Sequence, residues 1–326
     1  MGEFELLARI RERLPPAGTQ IRIGMGDDAA VTVPGGATAT SVDAIVDGVH
    51  FRREHYSLAQ VGHKALATAL SDLAAMGAGP GEAYTVLGVP PDLDEDGCLE
   101  LFDGIVSLAA ETGTTLAGGD VTRAPALTVA MTVVGHAPSA EALVTRAGAR
   151  PGDVVVVTGE LGAAAAGLLL FEHPDLPGAV SAEVGEQLKK RQREPQPRLR
   201  AGRALALAGA TAMIDLSDGL GADAAHLSAQ SGVELRLAAG SLPLAEGVAE
   251  VAEAAGVDTA RLTVCGGEDY ELLATLPPSR LRAALAAVAE TDTTMVTVGE
   301  VADGAGVDVR LPDGRTLDPG GFDQLS

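Results

Sequence analysis

Acidic residues recur in short loops that follow apolar runs of this sequence. The loops read GMGDD, TSVD, ALSD, AGGD, IDLSD and, with glutamate, CGGED. Any single loop of this kind is an ordinary turn, because Asp and Gly are common turn residues. Five or six at the ends of separate elements indicate a site, since ligands of α/β sheets collect at strand ends. Clustered carboxylates with hydroxyls nearby are typical ligands of Mg²⁺ or another hard cation.

The stretch IGMGDDAAV, residues 23–31, has the G-x-G-x-x-A spacing of a dinucleotide-binding loop. Two features count against that interpretation. Asp27 and Asp28 would repel a phosphate group, and the VTVPGG that follows does not form the helix on which such loops place phosphate. None of the three lysines follows a glycine, so the chain has no Walker A motif. The loop is better interpreted as a metal site that reaches phosphate through the ion.

The composition disfavours several classes of function. The chain has 326 residues, a formal net charge of −22 and 46% apolar residues. Such acidity disfavours binding to nucleic acid or anionic membranes, because phosphate groups attract basic surfaces. No apolar run approaches the roughly 20 residues of a membrane span, and the N-terminus lacks a signal-peptide layout. Cys98 and Cys265 make neither a disulfide framework nor a zinc site, so we expect a cytoplasmic protein.

The elements that must position these loops alternate between helices and strands. Apolar residues at helical spacing predict a helix over residues 4–14, and the first half of the chain reads as a mixed α/β domain. The polar stretch PSAEALVTRAGARPGD is a boundary between domains at 1–140 and 141–326. In the second domain, ATAMIDLSDGLGADAAHLSAQSG predicts a strand, an acidic loop and a helix. LTVCGGEDYELLATL predicts two strands around an acidic turn.

A basic cluster lies within residues 186–203 of the second domain. Its members are Lys189, Lys190, Arg191, Arg193, Arg198, Arg200 and Arg203. Such a cluster is typical of a solvated helix face followed by a loop. Recruitment of a nucleotide is the alternative interpretation.

The ordered set of motifs resembles the thiamine-monophosphate kinase family. The pieces are GEFELLARI, GMGDDAAV, GVHF, KALATALSDLAAMGA, AGGDVTR, TRAGARPGDVVVVTG, IDLSDGL and GGEDYELL, and they follow the family's order nearly end to end. Each piece is weak alone, but the ordered set is specific. The resemblance implies the two-domain α/β fold with mixed sheets of the aminoimidazole ribonucleotide synthetase superfamily. It also implies that domain 1–140 binds ATP and Mg²⁺ and forms a homodimer through a β-barrel-like interface, while domain 141–326 completes the active-site cleft.

The resemblance further implies the residues of the site. The implied metal ligands are Asp28, Ser41, Val42, Asp43, Asp72, Asp120, Asp215 and Asp218. The implied ATP contacts are Gly119, Asp120, Arg146 and Ser217. The implied contacts to thiamine monophosphate are His50, Glu268 and Phe322. Several Mg²⁺ ions would neutralise the two anionic substrates.

The sequence departs from the family pattern at four positions. Val42 replaces a frequent Thr and would bind metal through its backbone carbonyl, Ala69 replaces an Asn, and Val121 replaces a Thr. Pro319 stands where the family often has an aromatic residue that packs on the substrate, and Phe322, three residues later, is the candidate substitute.

The implied reaction converts ATP and thiamine monophosphate to thiamine diphosphate and ADP. The acceptor is a phosphate monoester, and its second pKa of about 6 makes it largely a dianion at pH 7. We therefore expect no general base, and direct transfer that depends on positioning and charge neutralisation. Two alternatives stay open. One is another ATP-dependent synthetase of the superfamily, and the other is a non-catalytic ATP-binding dimer, which only Pro319 favours.

Overall fold

The chain divides into two compact units near residue 140. A computed structural model describes residues 3–16, 18–25, 29–173, 176 and 178–321. The N-terminal unit comprises Met1–Leu73 and Ala78–Ala140, and the C-terminal unit comprises Ala74–Gly77 and Glu141–Ser326. Each unit combines helices with a mixed sheet, which confirms the predicted α/β class.

Over its described residues, the N-terminal unit contains a four-stranded sheet, a two-stranded ribbon and three helices. Its elements are α1 (Glu3–Arg13), β1 (Ile21–Ile23), β2 (Val31–Thr32), β3 (Ala37–Val46), α2 (Leu58–Ala75), β4 (Gly79–Val89), α3 (Glu95–Thr112), β5 (Thr115–Arg123) and β6 (Thr128–Ala137). The helix predicted over residues 4–14 is α1, on which the side chains of Leu6 and Ile10 are fully buried. The sheet has the order β3-β6-β4-β5, in which only β4 and β5 run parallel.

The two faces of the four-stranded sheet differ in burial. Successive residues of a strand point to opposite faces. Met131, Val133 and Leu87 point to one face and are fully buried. Val42 and Val86 point to the other face, where they are 68% and 46% exposed. The strands thus present an open face, with exposed valines, opposite the core.

Two glycines bring α2 and α3 into close contact on the buried side. A Cβ atom on Gly62 would lie 1.9 Å from the carbonyl oxygen of Leu101, and one on Gly104 would lie 1.9 Å from that of Ala59. Backbone therefore meets backbone at this crossing, and any side chain at either glycine would separate the helices. This contact helps to fix α2, the helix that carries Asp72.

The C-terminal unit is built on a seven-stranded sheet. Its elements are β7 (Val154–Thr158), α4 (Ala163–Glu172), α5 (Ala182–Arg193), α6 (Leu199–Ala208), β8 (Ala212–Asp215), α7 (Leu220–Ser231), β9 (Glu234–Ala238), α8 (Val248–Ala255), α9 (Thr259–Cys265), β10 (Leu272–Leu276), α10 (Pro278–Ala289), β11 (Met295–Ala302), β12 (Gly306–Arg310) and β13 (Thr316–Leu317). The strand order is β13-β12-β9-β11-β7-β10-β8, with only β9 and β12 parallel. Val155, Val157 and Leu273 are fully buried in the main core of this unit.

One predicted strand in the C-terminal unit is wrong. The residues LTVC, read as a strand before the acidic turn, form the end of helix α9. Asp258 caps this helix by accepting the backbone N–H of Arg261 at 2.9 Å, and the Thr263 hydroxyl donates to the carbonyl of Thr259 at 2.8 Å. The β-branched residues favour a strand locally, but the capped turn stabilises a helix instead.

Within the described ranges, no helix is both long and apolar enough to cross a membrane.

Candidate functional site

The N-terminal unit brings three of the predicted metal ligands together. Ser41 and Asp43 lie two residues apart on β3, so their side chains share the face toward α2. The Ser41 hydroxyl donates a short hydrogen bond to the carboxylate of Asp72 on α2. Residues 31 positions apart are thus joined into an oxygen-rich group, as the acidic loops TSVD and ALSD suggested.

Val42 points away from this group, so only its backbone can contribute. The N–H of Ala44 donates to the carboxylate of Asp43 at 2.8 Å, and it therefore points away from the neighbouring strand β6. Backbone groups of successive residues alternate in direction along an antiparallel strand, so Val42, two residues before Ala44, points the same way. Its carbonyl is therefore directed to the free edge of β3, the side opposite β6. The replacement of Thr by Val at this position leaves that carbonyl unchanged.

His50 lies in a short loop directly after β3. Its ring Nδ1 accepts the backbone N–H of Val46 at 3.2 Å. Arg53 holds the loop by donating to Asp47 at 2.8 Å and to Asp92 at 2.7 Å. Because Nδ1 is an acceptor, the neutral ring carries its proton on Nε2, where it can donate to an anion.

Gly119 and Asp120 lie on β5, at the opposite edge of the sheet from Asp43. Across the sheet, Asp43 of β3 pairs with Met131 of β6, Met131 pairs with Thr85 of β4, and Thr85 pairs with Gly119 of β5. Three interstrand spacings of about 4.8 Å place the two edges about 14 Å apart. Asp43 and Asp120 of one chain therefore do not reach the same ion. A Cβ on Gly119 would lie 2.1 Å from the carbonyl of Thr85, so close strand packing alone explains this glycine.

The C-terminal unit has a second acidic group after β8. Asp215 ends the strand and is 4% exposed, and Asp218 follows it in the loop. Asp223, in the first turn of α7, accepts the backbone N–H groups of Asp218 and Gly219, both at 3.1 Å. Burial raises the pKa of Asp223 to about 8, and the charges of Asp215 and Asp218 add to the effect. Sequence reasoning missed Asp223, although an acidic residue in the first turn of a helix was a usable signal.

Ser217 and Glu268, two predicted contacts, come together beside this group. The N–H of Glu268 donates to the carbonyl of Ser217 at 2.8 Å, and the N–H of Tyr270 donates to that of Leu216 at 2.8 Å. These bonds continue the pairing of β8 with β10. Glu268 and Tyr270 have φ angles of 68° and 50°, a region that residues other than glycine seldom adopt. The GGEDYE segment is therefore a constrained connection rather than an ordinary hairpin.

Part of the predicted basic cluster serves a buried carboxylate. Glu271 is fully buried and accepts hydrogen bonds from Arg198 Nε at 2.8 Å, Arg191 Nη2 at 3.0 Å and the Thr158 hydroxyl at 2.8 Å. The solvated-face interpretation is wrong for these two arginines, because burial of Glu271 requires cations beside it. Its neighbour Asp269 accepts the N–H of Gly162 at 2.8 Å.

Arg146 lies on the surface beside the start of β8. Its carbonyl accepts the Ser231 hydroxyl at 2.8 Å, and the carbonyl of Thr145 accepts the N–H of Met213 at 3.0 Å. The backbone of Arg146 is thus fixed against β8, while the residue itself is exposed. An exposed guanidinium can donate to a phosphate group, as the predicted ATP contact requires.

The C-terminal segment passes the acidic loop. A Cβ on Gly221 would lie 2.8 Å from the backbone of Pro319, so this proline packs directly on the start of α7. A Cβ on Gly321 would lie 2.9 Å from the carbonyl of Asp218. The segment therefore reaches the site up to residue 321. Phe322, the candidate substitute for the family's aromatic residue, lies outside the described residues.

Both acidic groups offer only oxygen donors, the chemistry that Mg²⁺ prefers. Asp43, Asp72 and the Ser41 hydroxyl make up one set, and Asp215 and Asp218 make up the other. Over the residues described, no three Asp, Glu, His or Cys side chains converge closely enough to hold an ion. The donors are of the type that Mg²⁺ prefers, but the described side chains of each group are too few to hold an ion by themselves. Asp28, a further predicted ligand, lies outside the described residues.

Comparisons with known proteins identify the family of this chain. Residues 26–137 match the family model of the AIR synthase related protein N-terminal domain, and residues 150–312 match that of its C-terminal domain. The chain is 36% identical to the thiamine-monophosphate kinase of Escherichia coli K12 over 331 aligned residues, which cover 100% of this chain and 98% of the relative. The chain belongs to the thiamine-monophosphate kinase family. That assignment confirms the resemblance carried by the ordered motifs.

Solved structures of the thiamine-monophosphate kinase family share the whole fold. The enzyme from Stenotrophomonas maltophilia K279a matches with a TM-score of 0.85 and 34% identity, over 97% of this chain and 98% of that one. AaThiL complexed with AMPPCP and TMP matches with a TM-score of 0.78 and 29% identity, over 98% of this chain and 94% of that one. The two-domain fold predicted from the sequence is thereby confirmed.

Proposed function

We propose that this protein transfers the terminal phosphoryl group of ATP to thiamine monophosphate, which gives thiamine diphosphate and ADP. The observation that carries the proposal is the full-length match to thiamine-monophosphate kinases. A related structure that holds AMPPCP, an ATP analogue, together with TMP supports the same pair of substrates. The oxygen-rich groups of both units suit a reaction between two polyanions.

We assign the binding of Mg²⁺ to Asp28, Ser41, the carbonyl of Val42, Asp43, Asp72, Asp120, Asp215 and Asp218. Bound Mg²⁺ would neutralise the charge of the phosphates and hold them in line. The chain's own residues hold the donors in place. The Ser41 hydroxyl bonds to Asp72, and Asp223 fixes the backbone that carries Asp218.

His50 is the proposed contact for the acceptor phosphate. Its Nδ1 is occupied by the Val46 N–H, so Nε2–H is the group that donates to a phosphate oxygen. The phosphate of thiamine monophosphate is already largely dianionic at pH 7 and needs no base to remove a proton. His50 therefore positions the acceptor, and the transfer proceeds without a phosphoenzyme.

The remaining substrate contacts are divided between the two units, with Gly119 and Asp120 on β5 and the others in the C-terminal unit. Glu268 and Phe322 are the proposed contacts to the organic part of thiamine monophosphate. The proposed ATP contacts are Gly119, Asp120, Arg146 and Ser217. The backbone N–H of Glu268 donates to the carbonyl of Ser217 at 2.8 Å, so the two proposed contact regions are adjacent.

We infer a homodimer in which each active site draws on both chains. Asp43 and Asp120 lie on opposite edge strands, too far apart within one chain to hold the same ion. The open face of the sheet carries exposed Val42 and Val86, which a second sheet would cover. A two-fold axis at that face would bring β5 of the partner to the free edge of β3, where the Asp43 carboxylate accepts the Ala44 N–H. Asp120 shares the open face with Val86, so the partner's Asp120 would meet the Asp43 carboxylate at that edge and complete its ligand set.

The cytoplasm is the compartment that we propose for the reaction. Cys98 and Cys265 are both free thiols, which a reducing compartment preserves. ATP, the proposed co-substrate, is available there.

Chromatography of the products tests the proposed function. The protein is incubated with ATP and Mg²⁺ and either thiamine monophosphate or free thiamine. We expect thiamine diphosphate from the monophosphate only. Asp72→Asn, which keeps an acceptor for Ser41 but loses the charge, should lower kcat/KM more than about 100-fold. Asp96→Asn is the matched control, since Asp96 is 87% exposed on α3. ATP binding without turnover of thiamine monophosphate would refute the proposal.

A mixture of two inactive variants tests the shared site. Asp43→Asn and Asp120→Asn are each purified, mixed in equal amounts and allowed to exchange subunits. If the site spans two chains, half of the dimers are mixed and each has one intact site, so about a quarter of the wild-type activity returns. If both residues act within one chain, every site keeps one defect and no activity returns. A monomeric mass by light scattering would also refute the dimer.

A further inference from the structure

The acidic segment GGEDYE is held on one side by helix α5. Glu268 and Tyr270 adopt positive φ angles within three residues, so the backbone here is constrained rather than relaxed. Backbone hydrogen bonds to Ser217 and Leu216 hold one side of the segment. The side chains of Glu268 and Glu271 are bound by residues of α5 and by Arg198, the residue that precedes α6.

Two adjacent residues of α5 reach two different carboxylates. Arg191 donates to Glu271, which is fully buried and shared with Arg198. Gln192, which is 2% exposed, donates a short hydrogen bond from its amide Nε2 to the carboxylate of Glu268. The contact from Arg191 neutralises the buried charge of Glu271. Glu268, the partner of Gln192, is only partly buried. The contact from Gln192 therefore orients a carboxylate that a ligand can still approach.

Gln192 suits this task because its amide is neutral. An arginine at the same place would cancel the charge of Glu268, but an amide donor fixes one oxygen and leaves the negative charge in place. The organic part of thiamine monophosphate carries a cationic ring and an amino group, and both are attracted to a carboxylate. A buried amide also needs a partner, so the side chains of Gln192 and Glu268 restrain each other.

We propose that Gln192 is a positioning residue that orients the Glu268 carboxylate toward the cationic part of the substrate, an inference that rests on the proposed function. Removing the donor should loosen Glu268 and weaken binding of the organic part. The ATP site and the phosphoryl transfer should be unaffected.

Steady-state kinetics of Gln192→Met tests the inference, since methionine keeps the length but lacks the donor. We expect KM for thiamine monophosphate to rise about tenfold, as for loss of a hydrogen bond to a charged group. KM for ATP and kcat should change less than about twofold, because the interaction is lost equally from ground and transition states. Gln187→Met is the matched control, since Gln187 lies exposed on the same helix. Calorimetric titration with thiamine monophosphate, in the presence of a non-hydrolysable ATP analogue, should show the same tenfold loss.

A double-mutant cycle separates positioning from a purely structural role. If Gln192 acts through Glu268, then Gln192→Met adds little to the defect of Glu268→Gln. Gln192→Glu, which keeps the shape and replaces the donor with an acceptor, should raise KM for thiamine monophosphate further than Gln192→Met. Additive effects, an unchanged KM for thiamine monophosphate, or an equal rise in KM for ATP would overturn the inference. A wild-type protein that neither binds nor phosphorylates thiamine monophosphate would overturn both this inference and the proposed function.

Discussion

Replacing Glu271 with glutamine should destabilise the C-terminal unit strongly. Glu271 has no exposed surface and accepts hydrogen bonds from Arg191, Arg198 and Thr158. Glutamine keeps the volume but removes the negative charge, so two guanidinium groups lose their counter-ion. The side chain of Arg191 is 35% exposed and can be hydrated, whereas that of Arg198 is only 17% exposed.

The size of the effect follows from these exposures. Breaking a buried ion pair costs about 3–5 kcal/mol, because one charge is left uncompensated. Arg198 bears most of that cost and Arg191 relaxes toward water, so we expect the lower end, about 3 kcal/mol. In a unit of this size each kcal/mol lowers Tm by about 2–4 °C, which gives a fall of roughly 6–12 °C.

Urea and thermal unfolding, followed by circular dichroism, measure this loss. Glu300→Gln is the control, because Glu300 is 66% exposed and lies 3.9 Å from Arg236. The control should change the free energy of unfolding by less than about 0.5 kcal/mol. A loss below about 1 kcal/mol in Glu271→Gln would refute the view that Glu271 neutralises two arginines.

Three other features lead to measurable outcomes. Burial raises the pKa of Asp269 to about 7, so the native state binds an extra proton above pH 4. Asp269 should therefore make stability fall between pH 4 and pH 7, by up to about 1.4 kcal/mol per unit, and Asp269→Asn should remove this contribution in urea titrations while that of Asp223 stays. Equal slopes for both proteins would contradict the assignment. Burial raises the pKa of the Cys98 thiol to about 11, so a thiol reagent should label it only on unfolding. Two equally reactive native thiols would be inconsistent with this burial. Gly221→Ala would press on Pro319, so it should cost about 1–3 kcal/mol and speed proteolysis of the C-terminal segment. Gly185→Ala, where the nearest atom lies at 3.6 Å, should do neither; equal proteolysis of the two variants would count against the packing of this segment.

The elements that the sequence predicts best are those with regular periodicity. The apolar period of α1 and the valine run of β7 are local signals, and both elements form where expected. Helix α9 shows the opposite case. Its β-branched residues favour a strand. The contact that decides for a helix is the cap, in which the Asp258 carboxylate accepts the N–H of Arg261, and the pattern of apolar residues does not reveal it.

The contacts between distant residues are not visible in the sequence. Ser41 and Asp72 each belong to an acidic loop, but their hydrogen bond depends on how α2 packs on β3. Glu271 and Arg198 are 73 positions apart, and nothing in the basic cluster distinguishes the arginines that turn inward. The separation of Asp43 from Asp120 follows from the order of the strands, which no local pattern specifies.

A labelled-phosphate experiment tests the central claim most directly. A stoichiometric amount of protein is mixed with ATP labelled in the γ-phosphate, Mg²⁺ and thiamine monophosphate, and the label is followed over a single turnover. Direct transfer predicts that the label passes from ATP to thiamine diphosphate at the rate of ATP loss, with none on the protein. Label on an aspartate or histidine, or its release as inorganic phosphate without thiamine diphosphate, would contradict the account.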